Sequence, residues 1–193
     1  VVVGAGFAGA VTARKLAEAG KSVLILEKRD HIGGNSYDFV NDNSVLVHLY
    51  GPHIFHTDKE EVYNFLSRFT DWREYKHQVA AEINGEKLPV PFNMEALEKV
   101  FGEQAESLKK KLLAAFAGRK KVAINELLEV DDPEIHKIAD YVYEHYYTYY
   151  SKKQWGKHFV RLDDSIFRRV PVYLSDNSYY FEDKWQGLPA AGY

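Results

Sequence analysis

Three glycines near the start of the sequence have the spacing that phosphate binding needs. Val1–Val3 reads as a nonpolar strand, and a G-x-G-x-x-G turn and a helix from about Phe7 to Ala19 follow it. In such a turn Gly4 permits a sharp reversal, Gly6 lets the backbone approach a pyrophosphate, and Gly9 lets the helix pack against the strand. The helix dipole and its free N–H groups then point at the phosphate. This pattern predicts a dinucleotide site.

An acid and a second glycine pair narrow the choice of nucleotide. Glu27 closes a second nonpolar strand, Val23–Leu26, where its carboxylate is placed to accept hydrogen bonds from both ribose hydroxyls. Gly33 and Gly34 follow shortly afterwards and permit positive φ angles and close approach to a cofactor. This order resembles the extended fingerprint of FAD-binding proteins of the glutathione-reductase type. An ordinary Gly-Gly loop is the alternative, and the spacing favours FAD.

Two histidines follow the next predicted strand, in a loop from Tyr50 to Thr57. Loops after strands bind ligands in α/β folds. At a flavin, His53 or His56 would donate a hydrogen bond to the ring or tune its protonation. The alternative is a hydrogen-bonded core histidine. A metal site is disfavoured because acidic partners at suitable spacing are missing.

Aromatic and basic residues in the last third suit a nucleotide sugar. Six tyrosines precede Gln154-Trp155-Gly156, and they either stack on a sugar or uracil ring or fill a core. The six are Tyr141, Tyr143, Tyr146, Tyr147, Tyr149 and Tyr150. Arg168 and Arg169 are suited to a diphosphate, with a surface salt bridge as the alternative. No Ser-His-Asp order or carboxylate pair stands out, so we expect a cofactor to carry the chemistry.

The elements that position these residues suggest three parts and an α/β fold class. Residues 1–75 are predicted to form a Rossmann-like FAD-binding βαβ domain, with a first hairpin around Asn41–Ser44. Residues 93–165 are predicted to form an inserted helical domain, in which Asn93 and Asp132 are the expected N-caps of two helices. Residues 76–92 and 166–193 read as short antiparallel strands of a substrate domain, and Asn84-Gly85 marks a hairpin within the first of these stretches.

Composition restricts the class of protein. The 193 residues are enough for one large domain or two small ones, and the net charge of −3 argues against nucleic-acid or membrane-surface binding. The absence of cysteine excludes disulfides, thiolate nucleophiles and cysteine-based metal sites. No nonpolar run reaches the roughly 20 residues that span a bilayer. These features favour the cytoplasm.

The motifs occur together in an order that resembles bacterial UDP-galactopyranose mutase. They are the glycine turn, Glu27-Lys28-Arg29, His31-Ile32-Gly33-Gly34-Asn35, Tyr50 to Thr57, Pro91-Phe92-Asn93-Met94, Lys153-Gln154-Trp155-Gly156 and Arg169-Val170-Pro171-Val172. The resemblance implies isomerisation of UDP-galactopyranose to UDP-galactofuranose, with N5 of reduced FAD as nucleophile and no net redox change.

The resemblance also implies roles for individual residues. FAD would contact Gly4, Gly6, Phe7, Gly9, Glu27, Lys28, Gly34 and Asn35, with His53 and His56 beside the isoalloxazine. UDP-galactose would contact His77, Tyr146, Tyr150, Ser151, Trp155, Arg169 and Tyr180. His53, His56 and Arg169 would have the catalytic roles. Ser151 stands where the better-known bacterial members carry Thr, a change that keeps a hydroxyl.

The same motifs also fit two alternative hypotheses of function. A redox flavoprotein of the amine-oxidase or desaturase type shares the glycine fingerprint, and a non-catalytic nucleotide-sugar-binding fragment would bind UDP without turnover. The family is considerably longer than this sequence, so we expect a truncated chain that is inactive by itself. A homodimer also stays open.

Overall fold

The computed structural model describes residues 1–156 and 171–193, and the side chains of Tyr150, Gln154 and Trp155 are outside that description. The chain forms two compact units. Unit 1 comprises Val1–Lys76 and Asp183–Tyr193, and unit 2 comprises His77–Glu182. Unit 1 is therefore built from two stretches of chain that are distant in sequence.

Unit 1 begins with a strand, a helix and a second strand. Strand β1 (Val2–Val3) pairs in parallel with β2 (Ile25–Leu26), and helix α1 (Phe7–Glu18) connects them. A parallel pair needs such a crossover, so the short βαβ pattern sets this geometry. The strands leave nonpolar side chains exposed, with Val3 83% and Leu26 50% accessible.

A hairpin and a three-stranded sheet complete unit 1. Strands β3 (Asp38–Val40) and β4 (Leu46–His48) form the predicted first hairpin. Strand β5 (Phe55–Thr57), helix α2 (Glu60–Leu66) and strand β6 (Trp72–Glu74) come next. The sheet order is β5, then β11 (Trp185–Pro189), then β6, with antiparallel pairing on both sides of β11.

The position of β11 differs from the prediction that residues 166–193 belong to the substrate domain. Gly187 pairs with Phe55 on one side and with Glu74 on the other, so this strand is the centre of a unit 1 sheet. A Cβ at Gly187 would lie 2.9 Å from the carbonyl oxygen of Arg73. The absence of a side chain there allows the two strands to approach.

Unit 2 begins with the hairpin of β7 (Val79–Ile83) and β8 (Glu86–Val90). Its two turn residues, Asn84 and Gly85, both have positive φ angles of 54° and 85°, as this tight turn type requires. Helix α3 (Met94–Phe101) follows, and its predicted N-cap is confirmed because the Asn93 side chain accepts a hydrogen bond from the Ala96 N–H.

The remaining elements of unit 2 are mostly helical. They are α4 (Ala105–Ala115), β9 (Lys121–Val122), α5 (Ile124–Leu128), α6 (Pro133–Val142), a π-helix (Tyr143–Thr148), α7 (Tyr149–Trp155) and β10 (Val172–Tyr173). The Asp132 carboxylate caps α6 as predicted, accepting hydrogen bonds from the N–H groups of Glu134 and Ile135. Strand β10 pairs with β9.

The main hydrophobic core lies in unit 2. Side chains from the hairpin, the helices and β10 bury one another there, including Leu88, Phe92, Leu112 and Ile138, each at most 2% accessible. Deeply buried residues in unit 1 are few and small, such as Ala5 and Ala13. None of the described helices combines the length and the hydrophobicity that a membrane crossing requires.

Candidate functional site

The glycine turn has the backbone geometry that a dinucleotide site needs. Gly4 has φ +93°, a conformation that favours glycine. A Cβ on Gly9 would overlap the carbonyl oxygen of Gly4 and would lie 2.9 Å from its carbonyl carbon. Gly6 is extended, at φ −74° and ψ −179°, and a Cβ there would meet only the Cα of Gly34, at 3.7 Å. Only Gly9 is therefore required by packing within the turn.

The first turn of α1 is open to an anion. Gly6 is the N-cap of this 12-residue helix, and no described side chain caps it. Its first turn contains no acidic residue. The N–H groups there and the positive end of the helix dipole can therefore bind a phosphate.

The Glu27 carboxylate joins the glycine turn to the end of β2. One oxygen accepts a hydrogen bond from the Ala5 N–H at 2.6 Å, and the other accepts from the N–H groups of Lys28 and Arg29 at 2.8 and 2.9 Å. These bonds, above all those from Arg29 and Ala5, lower the pKa of Glu27. The carboxylate therefore stays ionised, and the oxygen bonded to Ala5 retains acceptor capacity for a ribose hydroxyl.

The second glycine pair lies directly against the glycine turn. Gly33 donates its N–H to the carbonyl oxygen of Ala5 at 2.9 Å, and Gly33 and Gly34 have φ angles of +87° and +61°. A Cβ on Gly34 would lie 3.0 Å from the Cα of Gly6. The Asn35 side chain accepts a hydrogen bond from the Arg29 guanidinium at 2.7 Å. All eight fingerprint residues predicted to contact the cofactor thus belong to one region of unit 1.

A cavity of about 250 Å³ in unit 1 brings both predicted histidines together with the start of α1. Most of its lining is aromatic or aliphatic. The lining residues are Phe7, Ser36, His53, Ile54, Phe55, His56, Leu66 and Tyr193. A largely nonpolar cavity with a few converging polar groups is typical of a cofactor site.

Each histidine in the cavity has an oriented ring. The Nδ1 atom of His53 lies 2.9 Å from the Gly51 carbonyl oxygen, which can only accept, so Nδ1 carries the proton. The Nδ1 atom of His56 lies 2.9 Å from the Asp183 carboxylate. These partners fix the orientation of both rings, with a carbonyl oxygen at His53 and a carboxylate at His56.

Two predicted substrate residues meet in unit 2. The His77 and Tyr180 rings contact each other edge to face, with centroids 5.7 Å apart, and the Tyr180 N–H donates to the His77 carbonyl oxygen at 2.8 Å. Burial lowers the pKa of His77, which favours its neutral form. An uncharged imidazole is therefore fixed beside a phenol ring.

Two further predicted substrate residues contain buried polar atoms. Tyr146 is 4% accessible and Ser151 is fully buried. Neither the Tyr146 hydroxyl nor the Ser151 Oγ has a hydrogen-bond partner among residues 1–156 and 171–193. Burial also raises the pKa of Tyr146, so its hydroxyl keeps its proton. Tyr146 belongs to the π-helix, and such helices are frequent at functional sites. Two polar groups are thus available in this segment of unit 2.

The side chains of three predicted site residues lie outside the described part of the chain. Arg169 lies outside the described residues. Tyr150 and Trp155 belong to α7, but their side chains are outside the described part of the chain. Their roles stay predictions.

Two residues of the cavity region were missed by the sequence reasoning. Asp183 orients His56 across 127 residues of sequence, and Tyr193 lines the cavity with both histidines. No local motif marks either residue. The sequence offered one general indication, which is that a functional histidine needs a hydrogen-bond acceptor for its second ring nitrogen.

Two protein-family models match parts of the chain. Residues 2–69 match the model of an NAD(P)-binding Rossmann-like domain. Residues 145–193 match the model of UDP-galactopyranose mutase. The predicted α/β fold class with a Rossmann-like domain is therefore confirmed.

Curated relatives cover the whole chain. A probable UDP-galactopyranose mutase of Klebsiella pneumoniae is 38% identical over 100% of this chain and 50% of its own length. A dTDP-fucopyranose mutase of Escherichia coli is 33% identical over 100% of this chain and 51% of its own. A flavin-containing amine oxidase B of Rattus norvegicus is 41% identical over 28% of this chain and 10% of its own. The chain spans about half the length of the sugar mutases that it matches. Its similarity to UDP-galactopyranose mutases nevertheless extends along all 193 residues and confirms the resemblance that the motifs indicated.

Proposed function

We propose that the natural protein is a UDP-galactopyranose mutase with FAD as its cofactor, which interconverts UDP-galactopyranose and UDP-galactofuranose with no net redox change. The similarity to sugar-nucleotide mutases along the whole chain carries this proposal. The likeness to an amine oxidase covers only 28% of the chain, which gives less support to a redox flavoprotein.

The residues of unit 1 fit FAD. The first turn of α1 presents N–H groups that no described side chain caps, and a pyrophosphate would bind there. Glu27 would accept a hydrogen bond from the ribose through the oxygen that has acceptor capacity left. The cavity with His53 and His56 is largely nonpolar, as suits a flavin ring.

Reduced FAD supplies a nucleophile, its N5, when it is bound. The histidines of the cavity would hold or move protons. The Nδ1 atom of His56 faces the Asp183 carboxylate, whereas that of His53 faces the Gly51 carbonyl oxygen, which only fixes its tautomer. We therefore assign proton transfer to His56 and hydrogen bonding to His53.

Unit 2 would bind the nucleotide sugar. The Tyr146 hydroxyl and the Ser151 Oγ are buried polar atoms that lack a partner among the described residues, and a sugar or uracil could satisfy them. The His77–Tyr180 pair would offer an aromatic surface to the same ligand. Arg169 is proposed for the diphosphate, and Tyr150 and Trp155 are proposed for the uracil and substrate region, on the resemblance alone.

The first experiment is anaerobic conversion of UDP-galactofuranose by the genome-encoded protein with FAD, with and without dithionite. Formation of UDP-galactopyranose only after flavin reduction supports the mutase. Bound FAD with no conversion in either state contradicts it, and a redox flavoprotein would then be the better assignment. UDP binding without flavin binding or turnover would favour a nucleotide-sugar-binding fragment.

A second sugar nucleotide is favoured by one observation. The dTDP-fucopyranose mutase is 33% identical over the whole chain, close to the 38% of the UDP-galactopyranose mutase. The same anaerobic assay with dTDP-fucopyranose decides between the two substrates. We expect the larger kcat/KM for the UDP sugar, and a larger value for the dTDP sugar would reverse this choice of substrate.

A further inference from the structure

Tyr193 contacts three segments of unit 1, namely the start of α1, the loop that contains His53 and the β3–β4 hairpin. Its ring lies edge to face against Phe7 at the start of α1, with centroids 5.7 Å apart, and against His53 at 6.4 Å. Burial, followed by the charge of Asp38, raises the pKa of Tyr193 to about 12, so the phenol is neutral.

The backbone of Tyr193 is held by a nearly buried carboxylate. The Tyr193 N–H donates to one oxygen of Asp38 at 2.9 Å, and the Asp38 side chain is only 2% accessible. Its other oxygen lies 2.7 Å from the Nδ1 atom of His48, at an angle poorly suited to a hydrogen bond. The His48 ring in turn lies 6.1 Å from the Tyr193 ring. A nearly buried carboxylate thus holds the backbone of Tyr193 with one oxygen and faces His48 with the other.

The preceding residue supports the same arrangement. Gly192 has φ +92°, and a Cβ there would lie 3.1 Å from both the Asp38 carboxylate and the Leu46 side chain. Gly192 therefore lets the chain pass close to the β3–β4 hairpin. The position of Tyr193 is specified by backbone conformation, by a buried carboxylate and by three ring contacts, which is more than a ring that only fills space requires.

We propose that Tyr193 is a positioning residue of the flavin site, forming the wall of the His53–His56 cavity and setting the orientation of the His53 ring toward the cofactor. The inference rests on the proposed function, because it takes the occupant of this cavity to be the isoalloxazine of FAD. The Gly51 carbonyl fixes one nitrogen of His53, and the edge of the Tyr193 ring then limits the rotation of that imidazole.

The test places 3-fluorotyrosine at position 193 of the genome-encoded protein and records its fluorine NMR resonance during FAD titration. A matched protein carries the label at Tyr75, which is 39% accessible and is not part of the cavity lining. We expect the resonance at position 193 to shift and that at position 75 to stay. Saturation with FAD without a shift at position 193 would overturn the inference. Absence of FAD binding in the unlabelled protein would instead contradict the proposed function.

Substitution gives a second readout. Tyr193→Phe keeps the ring, and we expect FAD affinity and the visible flavin spectrum to match those of the unchanged protein. Tyr193→Leu removes the ring, and we expect about tenfold weaker FAD binding. We also expect an altered flavin absorption band and raised flavin fluorescence. An unchanged spectrum and affinity in a folded Leu variant would also refute the role, and the labelled proteins decide the matter if that variant does not fold.

Discussion

Gly6→Ala should weaken cofactor binding while leaving the fold intact. The backbone at Gly6 is extended, which any residue can adopt, and an added Cβ would meet only the Cα of Gly34 at an ordinary 3.7 Å. Alanine is the poorer N-cap by about 0.5–1 kcal/mol. Alanine also restricts the unfolded chain, which stabilises the fold by about 0.4–1 kcal/mol. These effects cancel, so we expect the free energy of unfolding to change by less than about 0.5 kcal/mol.

The same methyl group would stand where the backbone must approach a pyrophosphate. We expect FAD affinity to fall at least tenfold, which corresponds to about 1.4 kcal/mol. Gly9→Ala is the matched contrast, because its Cβ would overlap the Gly4 carbonyl group. That change should destabilise the apoprotein by about 1–3 kcal/mol.

Two assays separate these effects. Urea denaturation without FAD measures stability, and flavin fluorescence titration measures the Kd. The reasoning is refuted if Gly6→Ala binds FAD as the unchanged protein does, or if it loses as much stability as Gly9→Ala. A thermal shift on FAD addition provides a check, since a ligand that binds only the folded state raises the Tm.

Three further predictions concern packing, pH and the cavity. Leu112→Ala should cost about 2–5 kcal/mol of unfolding free energy because Leu112 is 0% accessible. The neighbouring Leu113→Ala, at 45% accessible, should cost less than about 0.5 kcal/mol in the same urea titration. Hydrogen bonds from Arg14 and Arg68 lower the pKa of Glu18 from 4.5 to about 2. The stabilisation by the Glu18 carboxylate is therefore present above pH 4.5 and is lost as the pH falls to about 2. In Glu18→Gln the free energy of unfolding should depend less steeply on pH over this range. An unchanged pH dependence would contradict this prediction. Asp183→Asn should lower kcat while leaving the Kd for FAD nearly unchanged, because it removes the carboxylate that holds His56. A loss of FAD affinity alone would assign the pair to cofactor binding.

The locally encoded parts of the fold could be predicted from the sequence. Asn84-Gly85 suits a tight hairpin turn, and the structure shows both residues with positive φ. The Asn93 and Asp132 caps were predicted because the physics of a helix start involves only three or four consecutive residues. The glycine turn belongs to the same class, since its spacing alone fixes its geometry.

The nonlocal parts could not be predicted. The pairing of β11 with β5 and β6 joins residues more than 100 positions apart, and strand periodicity does not identify a partner. Asp183 and Tyr193 reach the cavity through that pairing. The sequence also placed Glu27 at a ribose, but it gave no sign that three backbone N–H groups would share the carboxylate.

The central position of β11 has a consequence for biosynthesis. Strands β5 and β6 have no partner in their sheet until Trp185–Pro189 has left the ribosome, whereas unit 2 is encoded as one continuous stretch, His77–Glu182. We therefore expect unit 2 to acquire its structure first, although unit 1 is begun earlier. In the meantime the nascent chain carries two unpaired strand edges, which are sites of association with other chains. A ribosome stalled shortly before residue 185 should thus present an N-terminal segment that chaperones bind and proteases cleave.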